Sequence, residues 1–236
     1  MTRLADPLYR LLGLIERLPA PGYFVLLIAG LIAGWWLYVP VHELMHAFGC
    51  MIAGGEVQRL EIARPYGGAW LAAWFDFVEP GSEYAGRLSG FDTGGSDWVY
   101  QATVLAPYLL TVFPGLWLWR RLLAPEVAPG PLRVFAAGGL LPVVAAPLLS
   151  LTGDYYESGS IVVSDLLAGL AGRETALWRS DDLFRLIASW PGPLTLVDGL
   201  GIAAGFVTGL ALALATLWLG VWIAEGIDEV RRRRAS

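Results

Sequence analysis

Four stretches of this chain are apolar for longer than a buried helix of a soluble domain requires. The first runs from Tyr23 to Ala53, with Glu43 as its only charged residue. Others cover 98–119, 132–152 and 196–224. A crossing of the hydrocarbon core needs about 20 mostly apolar residues, so each stretch predicts a transmembrane helix. As one helix, residues 23–53 would extend about 45 Å against a core of about 30 Å, with Pro40 placed to kink it. Before it, Arg3, Arg10 and Arg17 alternate with Leu4, Leu8, Leu11, Leu12, Leu14, Ile15 and Leu18, and Pro19 and Pro21 follow. This pattern over residues 1–20 predicts an amphipathic helix on the membrane surface. It is read as retained rather than cleaved, because no small-x-small cleavage site follows.

Between the first two spans the period changes. Gly54-Gly55 stops the helix, and Val57, Leu60 and Ile62, then Trp70, Trp74, Phe75 and Phe77, flank a Pro65-Tyr66-Gly67-Gly68 turn. These residues predict a β-hairpin over 56–79, followed by a polar Gly/Ser/Asp-rich loop over 80–97. Residues 155–195 are mixed loop and short helices: Ile161 to Leu170 is apolar but too short to span, and 173–185 is charged. The expected fold is mainly α: a polytopic membrane protein with about four transmembrane helices, a small β-hairpin or sheet after the first, and the N-terminal amphipathic helix. A single membrane-embedded domain over 1–236 uses the whole length.

Composition agrees with this reading. Hydrophobic residues make up 56% of the chain and charged residues only 16%, against about 25% in ordinary soluble domains. The net charge is −5 and every basic residue is Arg, with one dense cluster at Arg231 to Arg234. Nucleic acid is therefore not an expected partner, and the cluster reads as an anchor beside the last span. Ten arginines lie in the N-terminal stretch, the loop after the second span and the tail. The loops at 54–97 and 153–197 hold six arginines against thirteen acidic residues. By the positive-inside rule both termini are expected in the cytoplasm. The single cysteine, Cys50, excludes an internal disulfide or a multi-cysteine metal site.

The chemistry is concentrated in His42-Glu43-Leu44-Met45-His46. These are the only two histidines of the chain. Four residues apart on a helix, they project from one face and can share a tetrahedral zinc ion. Glu43 can then take a proton from a water activated by the metal and pass it to a leaving amine. An incidental pair of packing histidines is the plainer alternative, but His and Glu inside an apolar run are costly without partners or a function. A third histidine ligand is excluded because the position six after His46 is Ile52. A carboxylate is therefore required. Asp154, at a chain break in Thr-Gly-Asp-Tyr-Tyr-Glu-Ser-Gly, is the first candidate, Glu157 the second and Asp165 the third.

The run His42-Glu-Leu-Met-His46-Ala-Phe-Gly, followed by Gly54-Gly55-Glu-Val and a strand-like stretch, resembles the site-two protease family of intramembrane zinc metalloproteases. The likeness is clear over 38–63 and extends to Ala106-Pro107, similar to a Gly-Pro element of the family, and to Asp154. It implies one zinc ion held by His42, His46 and Asp154, Glu43 as general base and acid, and peptide-bond hydrolysis in or near transmembrane segments of membrane-protein substrates. The chain departs from the family in its residues around Asp154 and in lacking any Asn, which many members use to hold substrate. Tyr155, Tyr156 or Ser158 are candidate replacements. An unwound substrate is expected to add as a strand beside the 56–79 hairpin, with 79–97 as mouth or lid. The setting expected is a cell membrane, the bacterial plasma membrane in particular, with the lipid bilayer as surroundings. Two rival readings share the motif: a zinc protease acting on peptides at the interface, and an inactive zinc-binding membrane scaffold.

Overall fold

The computed structural model describes residues 3–171 and 178–235. Its elements, in chain order, are α1 (Asp6–Glu16), α2 (Pro21–Ile52), β1 (Glu56–Ile62), the single turn α3 (Gly68–Leu71), β2 (Val78–Pro80), β3 (Gly86–Asp92), α4 (Asp97–Leu105), α5 (Leu116–Leu122), α6 (Pro131–Leu149), α7 (Asp154–Ala171), α8 (Leu183–Ala188) and α9 (Leu196–Ala235). The structure is mainly helical, and among the described residues four helical segments are long and apolar enough to cross a membrane: 21–52, 97–122, 131–167 and 196–234. On α2 the most exposed residues include Val25, Ile32, Trp36 and Leu37. An outer surface that is apolar in this way suits lipid rather than water, which identifies a membrane protein.

Lipid offers no hydrophobic force between helices, so close packing of small residues has to hold them together. α2 and α6 meet through such residues. A Cβ on Gly138 would lie 2.0 Å from the Leu27 carbonyl oxygen, and one on Gly34 would lie 2.2 Å from the Gly139 oxygen. α7 and α9 meet in the same way, where a Cβ on Gly209 would come within 2.3 Å of the Tyr155 oxygen. Only backbones without side chains can approach so closely. The apolar core is layered along the bundle. Leu14, Leu27, Trp119, Val134 and Val221 fill the end near both termini. Tyr38, Tyr108, Ala146, Tyr155 and Ala213 fill the middle.

Three expectations are corrected. First, the segment 56–79 is not a hairpin. The sheet has the order β2-β1-β3: β2 runs parallel to β1, and its antiparallel partner is β3, within the stretch expected to be a polar loop. Trp70 and Trp74 lie on helical turns between β1 and β2. Gly67, in the left-handed region at φ 84°, ends one turn and starts the next. β3 escapes a pattern search because its sequence, Gly-Arg-Leu-Ser-Gly-Phe-Asp, mixes glycine and polar residues. Second, the span expected at 98–119 is found as one apolar segment, 97–122, but it is not a regular helix: it tightens at Ala106–Tyr108 and is distorted at Thr111–Gly115, around Pro107 and Pro114. Third, 155–171 is no mixed loop but belongs to the 18-residue helix α7, Asp154–Ala171. Its Ser158, Ser160 and Ser164 are buried, and the last two satisfy their hydroxyls on carbonyls three residues back. Protein rather than lipid covers residues 155–164 of this helix, so it tolerates serines there that lower its apparent hydropathy. α2, by contrast, passes through Pro40 as one helix. Residues 172–177, part of the stretch expected to be charged, lie outside the described residues.

Gly138→Leu is expected to destabilise the protein by about 3 kcal/mol or more, at the upper end for overpacking. Gly22→Ala, with nothing near its added methyl, should be close to neutral. Thermal unfolding in one detergent compares them, and equal midpoints would show that the α2–α6 approach carries no stability.

Candidate metal centre

α2 carries His42 and His46 one turn apart on the face turned to α4 and α7. α7 begins at Asp154, right after the turn that ends α6, and brings that carboxylate against both rings. His42 Nε2 lies 3.3 Å from Asp154 Oδ2, His46 Nε2 lies 3.5 Å from it, and the two Nε2 atoms are 3.1 Å apart. Among the described residues these three form the one group of His, Cys, Asp or Glu donors able to hold a metal ion. A tetrahedral zinc with ligands at about 2.0–2.1 Å sets donors about 3.3 Å apart. The three separations fall around that length, so this donor set fits the ion.

Each ligand is held from behind. His46 Nδ1 is 2.9 Å from the Thr103 carbonyl oxygen. A carbonyl only accepts, so the proton sits on Nδ1 and Nε2 offers a lone pair. Tyr38, one turn before His42, places its hydroxyl 3.0 Å from His42 Nδ1. A phenol oxygen can accept, which allows the same tautomer. Tyr108 donates to Asp154 Oδ2 at 2.5 Å. It stands on the interruption at Ala106–Tyr108, where Pro107 breaks the helical ladder and the ring, 2% exposed, turns inward.

Glu43 is outside the ligand group and faces a cavity of about 760 Å³ shared with His42, His46 and Asp154. β3 starts against it: a Cβ on Gly86 would lie 2.4 Å from Glu43 Cγ. Glycine at 86 therefore lets the strand pass over the Glu43 side chain. β3 pairs with β1 on one side only, and Gly86, Arg87, Leu88, Ser89 and Phe91 line the cavity. The expected role of 79–97 at the mouth thus falls to a strand rather than a loop. On the other side of the mouth, Asp181 accepts from Arg87 at 3.1 Å. Arg179 holds Asp97 at 2.7 Å and Asp165 at 2.5 Å. The bond to Asp97, ahead of the other causes, pushes the Arg179 guanidinium further up from its ordinary value.

The other candidate residues are placed elsewhere. Glu157 lines the same cavity, but Tyr100 donates to it at 2.5 Å and it is not in the ligand group. Asp165 is committed to Arg179. Tyr155, Tyr156 and Ser158 are fully buried and do not line the cavity. Tyr155 donates to Thr216 at 2.8 Å, Tyr156 to the Trp178 carbonyl at 2.8 Å, and Ser158 to Gln101 at 2.5 Å. Their hydroxyls fasten α7 to α9, to the segment before α8 and to α4, so they position the helix rather than meet a substrate. Tyr38, Thr103, Tyr108 and Gly86 were not singled out from sequence. Only Tyr38 had a signal there, its four-residue spacing from His42. Comparison with protein-family models, with curated proteins and with solved structures finds no match.

Metal content by mass spectrometry tests the donor set. His46→Ala and Asp154→Ala should lose bound metal, Glu157→Ala should keep one equivalent, and Tyr108→Phe should weaken affinity about tenfold. Loss of metal in Glu157→Ala with retention in Asp154→Ala would reverse the assignment.

Proposed function

We propose that the chain is a zinc-dependent intramembrane endopeptidase of the site-two protease type, cleaving peptide bonds in or near transmembrane segments of membrane proteins. The observation that carries the reading is the convergence of the only two histidines with Asp154 at tetrahedral spacing, beside a carboxylate open to a cavity. His42, His46 and Asp154 would hold one zinc ion. Zinc in such a site polarises a carbonyl and lowers the pKa of water.

The residues of the chain supply the rest. Glu43 takes a proton from the attacking water as its oxygen bonds to the scissile carbonyl carbon. It then delivers that proton to the amide nitrogen as the carbon–nitrogen bond breaks. The cavity reaches these groups within an apolar bundle and is lined by Ser89, Ser150, Thr152 and Arg87, side chains that can keep water at this depth. A helical substrate hides its carbonyls in internal hydrogen bonds, so it must unwind before cleavage. The free edge of β3 can accept the unwound stretch by strand addition, directly beside Glu43. On this reading substrate adds to β3, whereas the sequence pattern pointed to residues 56–79. The setting is a cell membrane, the bacterial plasma membrane by this reading.

With a panel of single-span membrane proteins in detergent or liposomes, Glu43→Gln should lower cleavage at least a thousandfold while one equivalent of zinc stays bound. A chelator should abolish cleavage in the wild type, and added zinc should restore it. Gly86→Val, which drives a side chain into Glu43, should also keep the metal and lose about a hundredfold in rate, as misplacement of a reacting group by about 1 Å can. Cleavage unaltered by Glu43→Gln would leave a zinc-binding scaffold as the function.

A further inference from the structure

The end of the bundle away from the metal centre carries most of the arginines. Tyr155, next to Asp154, meets α9 at Thr216, and Arg231 lies fifteen residues further on, about 22 Å along the helix. Here α1, α5 and α9 come together. Most of their carboxylates are already committed, with Asp228 reaching Arg120 only at 3.9 Å. Asp6 holds Arg10 at 2.9 Å and Arg120 at 2.5 Å, Glu225 holds Arg3 at 3.0 Å, and Glu229 holds Arg232 and Arg233 at 3.2 and 2.9 Å.

Arg121 and Arg231 are different. Both guanidinium groups sit over one indole, that of Trp117, with their central carbons 5.4 and 4.8 Å from the ring centroid. No carboxylate of the described residues pairs with either. A ring face attracts each cation, and both line one depression in which six arginines stand against four carboxylates, Asp6, Glu126, Glu225 and Asp228. An anion would offset that excess of positive charge, and the planar fork of Arg suits a phosphate. Arg231 also lines a second depression, about 720 Å³, in which Trp222, Ile223, Ile227 and Val230 of α9 are flanked by Arg3, Arg234 and the paired Glu225 and Glu229. Trp222 and Val230 are each about half exposed. Arg231 therefore joins the arginine-rich depression to a largely apolar groove at the end of a transmembrane helix.

We propose that this is a binding site for one anionic phospholipid, its phosphodiester bridging Arg121 and Arg231 and an acyl chain lying in the groove along Trp222 and Ile227. The two parts of the site match the two parts of that molecule. A free phosphate would leave the groove open. A zwitterionic lipid would bring its ammonium group among the arginines. Basic pockets between transmembrane helices are suited to such headgroups. The site is independent of the proteolytic reading and would exist in an inactive protein as well.

Native mass spectrometry of the full chain in detergent, titrated with phosphatidylglycerol or phosphatidylcholine, tests the proposal. One phosphatidylglycerol per chain should be retained, at least about tenfold more tightly than phosphatidylcholine. The double variant Arg121→Gln/Arg231→Gln should lose about twentyfold in phosphatidylglycerol affinity. Arg232→Gln/Arg233→Gln removes the same charge from arginines already paired with Glu229 and should stay within about twofold. Trp222→Ala, at an exposed position, should weaken the lipid about threefold without touching a charge, which covers the case in which the arginine double variant fails to fold. Equal losses in the two arginine variants would mean diffuse surface charge and overturn the site. Displacement of the lipid by millimolar inorganic phosphate would identify a soluble-anion site and overturn the lipid assignment.

Discussion

Three polar side chains meeting inside an apolar bundle are the constraint around which this structure is built. Two imidazoles and a carboxylate within 3.5 Å of one another would be unfavourable in hydrocarbon if left unheld. The surrounding chain removes that cost group by group. Tyr38 holds His42, the Thr103 carbonyl holds His46, and Tyr108 holds Asp154. These three partners come from α2, from α4 and from the interruption after α4. Their positions require α4 to stop where Pro107 stops it and α7 to start where Asp154 stands.

The packing of the helices follows from the same requirement. α7 must lie close to both α2 and α9 to deliver Asp154, and its glycine contacts with α9 permit that closeness. The Gln101–Ser158 pair, bonded in both directions, fixes α4 against α7 one turn beyond Asp154. Tyr155 and Tyr156, on neighbouring faces of α7, fasten it to Thr216 and to the Trp178 carbonyl. Residues that look like spare hydrogen-bonding groups near a site are thus the fastenings that set its geometry.

The sheet has an unusual place. It sits on the end of α2, and its Leu60, Ile62 and Val78 pack with Ala47 and Leu71, while the unpaired edge of β3 borders the cavity. A free strand edge is ordinarily a liability. Here it lies between a carboxylate and a polar cavity, and Gly86 shows how tightly the strand is set against Glu43. Both ends of the molecule carry paired arginines and acids, and at the end away from the cavity Arg121 and Arg231 also lie over the ring of Trp117.

Much of this was readable along the chain. The four apolar runs gave the spans, because the length of a membrane crossing is fixed by the bilayer. His42, Glu43 and His46 were readable because ligands four apart on one helix need no tertiary information to converge. The count of donors demanded a carboxylate, and the chain break before Asp154 favoured it over Glu157 and Asp165. What the sequence could not carry was anything that depends on two distant segments meeting. Asp154 comes within 3.5 Å of both rings only in the fold, and Tyr108 and Thr103 are 62 and 57 residues from His46. The strand β3 has no period of its own and exists because β1 lies beside it. α7 reads as polar because its cover is another helix rather than lipid. Local pattern records what each segment does to its own backbone and to the solvent. Which surfaces then face each other is decided by packing, and the His42, His46 and Asp154 group lies where three such surfaces meet.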